Sequence, residues 1–401
     1  MKIDKLNNLI ELFEYQYLKQ NENDFFLNSL KSSNNNYTWK NTYLNILRLS
    51  EEIKNYINKG DRCLIISENR PEWMISDLSI MLSLGITVPA YSTYTERDYE
   101  YIIDDCTPSI IFVSDLSQYE KIKNIIPKKN FIKKVITFDK IDGLDQSFNL
   151  NIDNIFKNKI DENKNMSNLS ISRKDPACII YTSGTQGNPK GVILSHGGIL
   201  NNCEGSVKLI SSIISKNTKF LTWLPLSHSY EHTVQFVQIA TGAEIYYAES
   251  IESLAENMKD AKPTILISVP RVYEKIHAKI ISGVERAPAI RRAIFNWSYK
   301  TGRKASLLKY NKDSLPFLLK VKYSIAKKLV FDKVKNTFGG DIKNLISGGA
   351  PLSKELGEFF YALNIVILEG YGLTETSPII SCNRADAYRF GSVGQPLDNV
   401  E

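Results

Sequence analysis

The chain has 401 residues, of which 43% are hydrophobic, and a formal net charge of +6. That length exceeds one ordinary core, so two or more subdomains are expected, and no apolar run reaches the roughly 18 residues of a membrane span. The five cysteines are odd in number and scattered without C-x-x-C spacing, so they read as buried thiols of a cytoplasmic protein rather than a disulfide framework.

Ile3, Leu6, Ile10, Phe13 and Tyr17 follow helical spacing, and the N-terminus reads as a docked helix. Acids within that pattern, and the lack of a small-residue cleavage site, argue against a secretory signal. The run 63–66 reads as a strand and is followed by a helical stretch over 73–84. Further strands fall at 110–113 and 135–138, separated by the lysine-rich 119–134. Residues 139–174, rich in Asn, Asp, Lys and Ser, read as an irregular linker. Apolar runs then recur at 177–180, 192–194, 220–224, 244–247, 264–269, 344–347 and 365–368. Alternation of short apolar runs with longer amphipathic stretches predicts an α/β fold with parallel sheet and ligand loops at strand ends.

Charge is unevenly placed. Residues 286–335 hold fourteen Lys/Arg against two Asp/Glu, a local excess of twelve. Aromatic and aliphatic residues such as Phe295, Trp297, Phe317, Leu318, Ile325 and Phe331 interleave with these cations. Basic helices with an apolar stripe suit an anionic membrane surface; the alternative is a solvated helical pair whose stripe packs inward. No recognised nucleic-acid motif accompanies the patch, so no nucleic-acid partner is expected.

The most informative segment is 181–191, YTSGTQGNPKG, placed just after an apolar run. Its glycines expose backbone N–H groups, its hydroxyls at Thr182, Ser183 and Thr185 add donors, and Lys190 adds a point charge suited to phosphate. A Walker loop needs a hydroxyl directly after the lysine, and Gly191 stands there instead. No G-x-G-x-x-G opens a helix here either. Downstream, the strand 344–347 runs into Gly348-Gly349-Ala350-Pro351-Leu352-Ser353, whose serine can cap a helix and whose glycines leave flat backbone for a planar base. The strand 365–368 ends in 369–376, EGYGLTET. There Tyr371 can stack on a ring, Thr374 can donate to phosphate, and Glu375 offers the hard oxygen that Mg²⁺ prefers. His228 and His232 in 224–232, LPLSHSYEH, have i, i+4 spacing but no third metal-ligand pattern. A serine-hydrolase reading fails for want of a G-x-S-x-G elbow.

Taken together, 181–191, 348–353, 369–376 and the further motif 391–396 resemble, in order and spacing, the signatures of the adenylate-forming superfamily, over about 9–401. The resemblance implies two stacked, mostly parallel sheets with flanking helices, forming the large N-terminal domain of such an enzyme, with 284–336 a basic helical insertion within it. It implies phosphate binding by Thr182, Ser183, Gly184, Thr185, Gln186, Gly187 and Lys190. Gln186 stands where the family usually carries a small hydroxyl residue, so altered loop dynamics rather than lost binding is expected. Gly348, Gly349, Ala350, Pro351, Tyr371 and Gly372 would surround adenine, Thr374 would contact the α-phosphate, and Glu375 would hold Mg²⁺; Lys190, Thr374 and Glu375 are the expected catalytic set.

The segments 224–232, 269–276 and 69–73 look like the long-chain acyl-CoA synthetase branch, with His228 and Tyr230 at the acyl substrate. The implied reaction uses ATP, Mg²⁺ and coenzyme A to convert a long-chain fatty acid to its acyl-adenylate and then its thioester. An aromatic or amino acid substrate, or a non-catalytic nucleotide- or lipid-binding module, are the alternatives. The family continues past 391–396 with a ribose-gripping aspartate, a hinge and a small lysine-bearing domain, which no residue here matches. The 401-residue chain alone is therefore expected to turn over slowly or not at all. A cytoplasmic location, peripheral at the inner membrane surface through 286–335, is the corresponding expectation.

Overall fold

The computed structural model describes residues 2–32, 35–166, 170–182, 188–398 and 400. Two compact units emerge, the first comprising Met1–Val207, Trp223–Tyr247 and Thr374–Pro378, the second Lys208–Thr222, Ala248–Leu373 and Ile379–Glu401.

In the first unit a seven-stranded sheet runs in the order Asn149–Asn151, Lys134–Thr137, Ile110–Val113, Arg62–Ile66, Ile86–Ala90, Pro176–Thr182, Lys190–Ser195. All neighbours are parallel except the last pair, an antiparallel hairpin. Strands covered on both faces need near-continuous apolar sequence, and Cys63 to Ile66 and Ile110 to Val113 supply it, every residue being buried. Helix Pro71–Leu82 has proline at its first turn and no exposed residue. The N-terminal helix Leu9–Tyr17 is capped by Asn8 and buries Leu9, Ile10, Leu12 and Phe13. Strand Phe25–Ser29 pairs in parallel with Glu244–Tyr247 and antiparallel with Tyr37–Thr38.

The segment read as a linker corrects that expectation in part. Asn149–Asn151 adds an edge strand beside Lys134–Thr137, and helix Ile152–Ile155 follows it. Two of the three strand residues are asparagine, so no apolar signal marks the strand; an edge position tolerates this because only one side is paired.

In the second unit Lys219–Thr222, Ile265–Ser268, Asn344–Ser347 and Ile367–Gly372 lie side by side in parallel, followed by antiparallel Ile379–Cys382 and Gln395–Pro396. The basic segment forms helices Ala289–Tyr310 and Phe317–Ala326, continued by a π-helical turn, Lys327–Phe331. Its apolar residues divide between two fates. Phe295, Ala305, Val330 and Phe331 are buried, whereas Ile290, Phe317, Leu318, Val321 and Ile325 are exposed. Gly302 permits close helix packing, since a Cβ there would stand 2.0 Å from the Ala362 carbonyl oxygen. All five cysteines are buried free thiols, and burial raises the Cys106 pKa to about 12.

Candidate active site

The hairpin of the first unit brings the ends of the glycine-rich segment together, with Thr182 opposite Lys190 and Tyr181 opposite Gly191. Ser183, Gly184, Thr185, Gln186 and Gly187 lie outside the described residues. Two tyrosines brace the hairpin. The Tyr101 hydroxyl donates to the Pro189 carbonyl at 3.1 Å, and Tyr181 donates to Asp105 at 2.5 Å. Burial and that carboxylate push the Tyr181 pKa up, so its proton stays in place. Lys190 is exposed and makes no ion pair among the described residues, leaving a cation at the mouth of the segment.

Within the same unit, helix Ser229–Thr241 begins at the LPLSH motif. His228 is its N-cap: Nδ1 accepts the Tyr230 N–H at 3.1 Å. A ring that accepts at Nδ1 carries its proton on Nε2, and packing around it lowers the pKa below the usual 6.5. Its place at a helix N-terminus acts in the same direction, because the dipole there disfavours a cation. His228 therefore presents a neutral Nε2–H donor. Tyr230 is half-buried one position into the first turn.

The segment Thr374–Pro378 docks against these elements. Ser229 Oγ and Thr374 Oγ1 lie 3.0 Å apart. Asn202 Nδ2 donates to the Thr376 carbonyl at 3.3 Å, and Thr233 Oγ1 donates to the Ser377 carbonyl at 3.3 Å. Gly198 lies so close that a Cβ would stand 2.6 Å from Ser377 Oγ. Glu375 sits in the short 3₁₀ turn Thr374–Thr376, exposed and without an ion pair among the described residues. The first unit thus contains Thr182 and Lys190, paired across the hairpin, and, on a second set of elements, His228 and Tyr230 with Thr374 and Glu375 docked beside them. Ser229 is the residue that sequence reasoning passed over, although it adjoins His228; its partner is 145 positions away.

His232, four residues after His228, is engaged elsewhere. Its Nε2 lies 2.8 Å from Asp77 Oδ2, and both side chains are buried. Among the described residues no three His, Cys, Asp or Glu side chains form a metal cluster.

In the second unit Gly348, Gly349, Ala350 and Pro351 leave strand Asn344–Ser347, with Gly349 at φ +78°, a conformation glycine adopts freely. Ser353 caps helix Lys354–Ala362, accepting the Leu356 N–H at 3.2 Å. On the adjacent parallel strand Ile367–Gly372, Tyr371 is 47% exposed and is held opposite Ser381. A buried carboxylate links the two motifs: the Leu352 N–H donates to Glu369 Oε1 at 3.0 Å, and burial raises the Glu369 pKa. The unit therefore sets a flat glycine backbone and an exposed aromatic ring on neighbouring strand ends.

Comparison with known proteins decides the family. The AMP-binding enzyme family matches residues 13–401. The chain belongs to that family. Among its relatives, a long-chain-fatty-acid–CoA ligase of Homo sapiens is 30% identical over 405 residues, covering 95% of this chain and 59% of the relative. One from Mycobacterium tuberculosis is 27% identical, covering 85% and 56%. The chain spans little more than half the length of the curated relatives it matches. Solved structures of the same fold include ATP-bound MatB from Rhodopseudomonas palustris, with TM-score 0.70, 19% identity, 97% of this chain and 65% of that one covered. The N-terminal domain of FACL13 from Mycobacterium tuberculosis has TM-score 0.72, 15% identity, and covers 98% and 83%. The fold is that of the N-terminal domain of adenylate-forming enzymes, with mostly parallel sheets and flanking helices.

Proposed function

We propose that this chain carries the nucleotide and acyl sites of an acid–thiol ligase that activates a long-chain fatty acid with ATP and passes it to coenzyme A. The observation that carries the reading is the docking of Thr374–Pro378 on helix Ser229–Thr241, which sets a phosphate-type hydroxyl beside the LPLSH motif. The named substrates of the curated relatives support the long-chain assignment.

In this reading a carboxylate attacks the α-phosphorus of ATP, forming acyl-adenylate and releasing pyrophosphate; the coenzyme A thiol then attacks the acyl carbon and AMP departs. Two anions must meet in the first step, so charge has to be neutralised as it builds. Lys190 and Thr182, with the segment 183–187, would hold the β- and γ-phosphates, and Thr374, oriented by Ser229, would donate to the α-phosphate. The neutral His228 would donate from Nε2 to the acyl carboxylate without drawing a counter-charge, and Tyr230 would border the acyl chain. Glu375, an exposed carboxylate without an ion pair among the described residues, fits Mg²⁺, which when bound supplies further neutralisation of the triphosphate. Gly348 to Pro351, with Tyr371 and Gly372, would sandwich adenine. Burial at about 0.8 kcal/mol per CH₂ favours long over short chains.

Peripheral contact with an anionic membrane through 286–335, on the cytoplasmic side, belongs to the same proposal. ATP–pyrophosphate exchange on the complete polypeptide over a panel of carboxylates is the test, with the maximum expected at long chains. A maximum with benzoates or amino acids would replace the acyl assignment. Absence of exchange with every acid would leave a binding module.

A further inference from the structure

The second unit holds an apolar groove of about 450 Å³ that none of the nucleotide motifs lines. Met258, Phe295, Val330 and Val334 are its buried walls. Gly283, on helix Pro270–Glu285, lines it too, and a Cβ built there would meet nothing within 4 Å. Glycine is a poor residue for a helix, and neither an unusual φ nor a close neighbour calls for one at this position. What the missing side chain does is leave the groove open. Three cations, Lys279, Arg291 and Lys333, line the same groove, exposed and without ion pairs among the described residues.

One groove residue begins a longer feature. Leu329 continues a stripe through Ile325, Val321 and Leu318, at helical steps of four, four and three, and these residues are 41–73% exposed. Lys320, Lys322, Lys327 and Lys328 interleave with it, all exposed. An apolar stripe bordered by lysines is the pattern of a helix lying in a lipid headgroup layer. A local excess of twelve positive charges over 286–335 opposes a second copy of the chain and matches an anionic leaflet.

We propose that the groove at Gly283 takes up one acyl chain of an anionic phospholipid while the Leu318–Leu329 stripe rests in the bilayer surface, with Lys279, Arg291 and Lys333 against the headgroup. This deepens the membrane contact proposed above and is independent of which acid is activated.

The test is flotation of the protein with phosphatidylglycerol–phosphatidylcholine vesicles and with pure phosphatidylcholine vesicles, at low and high salt. Wild type binds the anionic vesicles, less at high salt, and the neutral ones little. Gly283→Leu fills the groove and favours the helix, so it keeps the wild-type unfolding temperature or exceeds it while binding falls about tenfold, the equivalent of roughly two unburied methylenes. Gly283→Ala, which leaves room, binds as wild type. Leu318→Glu combined with Ile325→Glu abolishes binding. If Gly283→Leu binds anionic vesicles as well as wild type does, the groove assignment falls and the membrane contact stands. If wild type ignores anionic vesicles, both fall. Calorimetry with soluble decanoate supplies a further arm: uptake that Gly283→Leu abolishes, in a protein that does not float with vesicles, overturns the phospholipid in favour of a free fatty acid.

Discussion

Replacing Asp77 by alanine isolates the buried pair that anchors helix Ser229–Thr241, the helix whose first turn meets Thr374. His232 is 1% exposed and Asp77 2%, with Nε2 and Oδ2 2.8 Å apart. Burial pulls the His232 pKa down, but Asp77 and the nearby Cys178 outweigh it and raise the value from 6.5 to about 10. At about 1.4 kcal/mol per pH unit that difference corresponds to roughly 5 kcal/mol, close to the approximately 3–5 kcal/mol lost when one partner of a buried pair is deleted. Without the carboxylate only the burial effect remains, so the ring loses its proton and its donor is left unsatisfied. The folded pKa lies above the unfolded one, so the contribution is complete below pH 6.5 and disappears as pH rises through about 10. Urea unfolding of wild type and Asp77→Ala should therefore differ by several kcal/mol at neutral pH, with the gap closing toward pH 10. A variant within about 0.5 kcal/mol of wild type at neutral pH, as for an ordinary surface substitution, or a gap that stays constant with pH, would refute the charged pair.

Three further outcomes are expected. Gly302→Ala sets a Cβ 2.0 Å from the Ala362 carbonyl and 2.8 Å from the Phe331 ring, so calorimetry should record about 1–3 kcal/mol of destabilisation despite the better helix former; an unchanged or higher unfolding temperature would show that the helices can separate freely. Ser229→Ala removes the hydroxyl 3.0 Å from Thr374, a bond worth about 1 kcal/mol, so the unfolding temperature should fall by about 2–4 °C and ATP–pyrophosphate exchange should slow roughly fivefold; a wild-type rate would mean that Thr374 needs no orienting partner. His196 is buried and its pKa is lowered to about 4, so the fold favours the neutral ring and its stability, full above pH 6.5, declines by up to about 3 kcal/mol as pH falls toward 4. His196→Gln should flatten that acid limb, and an identical limb would assign the acid sensitivity to other groups.

How much of this was readable depends on whether a residue's partner is near it in sequence. Parallel strands such as Ile110–Val113 announce themselves because burial on both faces demands unbroken apolar runs. The hairpin mouth and the two strand-end motifs were legible from glycine and hydroxyl density, and Ser353 caps its helix as its position suggested. Strand Ile86–Ala90 was not, because Thr87 and Pro89 interrupt its apolar pattern. Nor was Asn149–Asn151, whose pairing with 135–137 replaces hydrophobicity as its reason for being a strand. The Ser229–Thr374 and Leu352–Glu369 contacts depend on tertiary placement alone. The apolar residues of the basic helices divide: Phe295 and Phe331 pack inward, and Phe317 and Leu318 are exposed.

The sequestered thiols turn the molecule into its own reporter of opening. Cys63, Cys106, Cys178 and Cys203 belong to the first unit and Cys382 alone to the second. A thiol reagent added to the untouched native protein therefore registers loosening without any engineered probe. Mass shifts arriving in a group of four ahead of the single one, or behind it, would reveal which half of the molecule yields sooner under heat or denaturant.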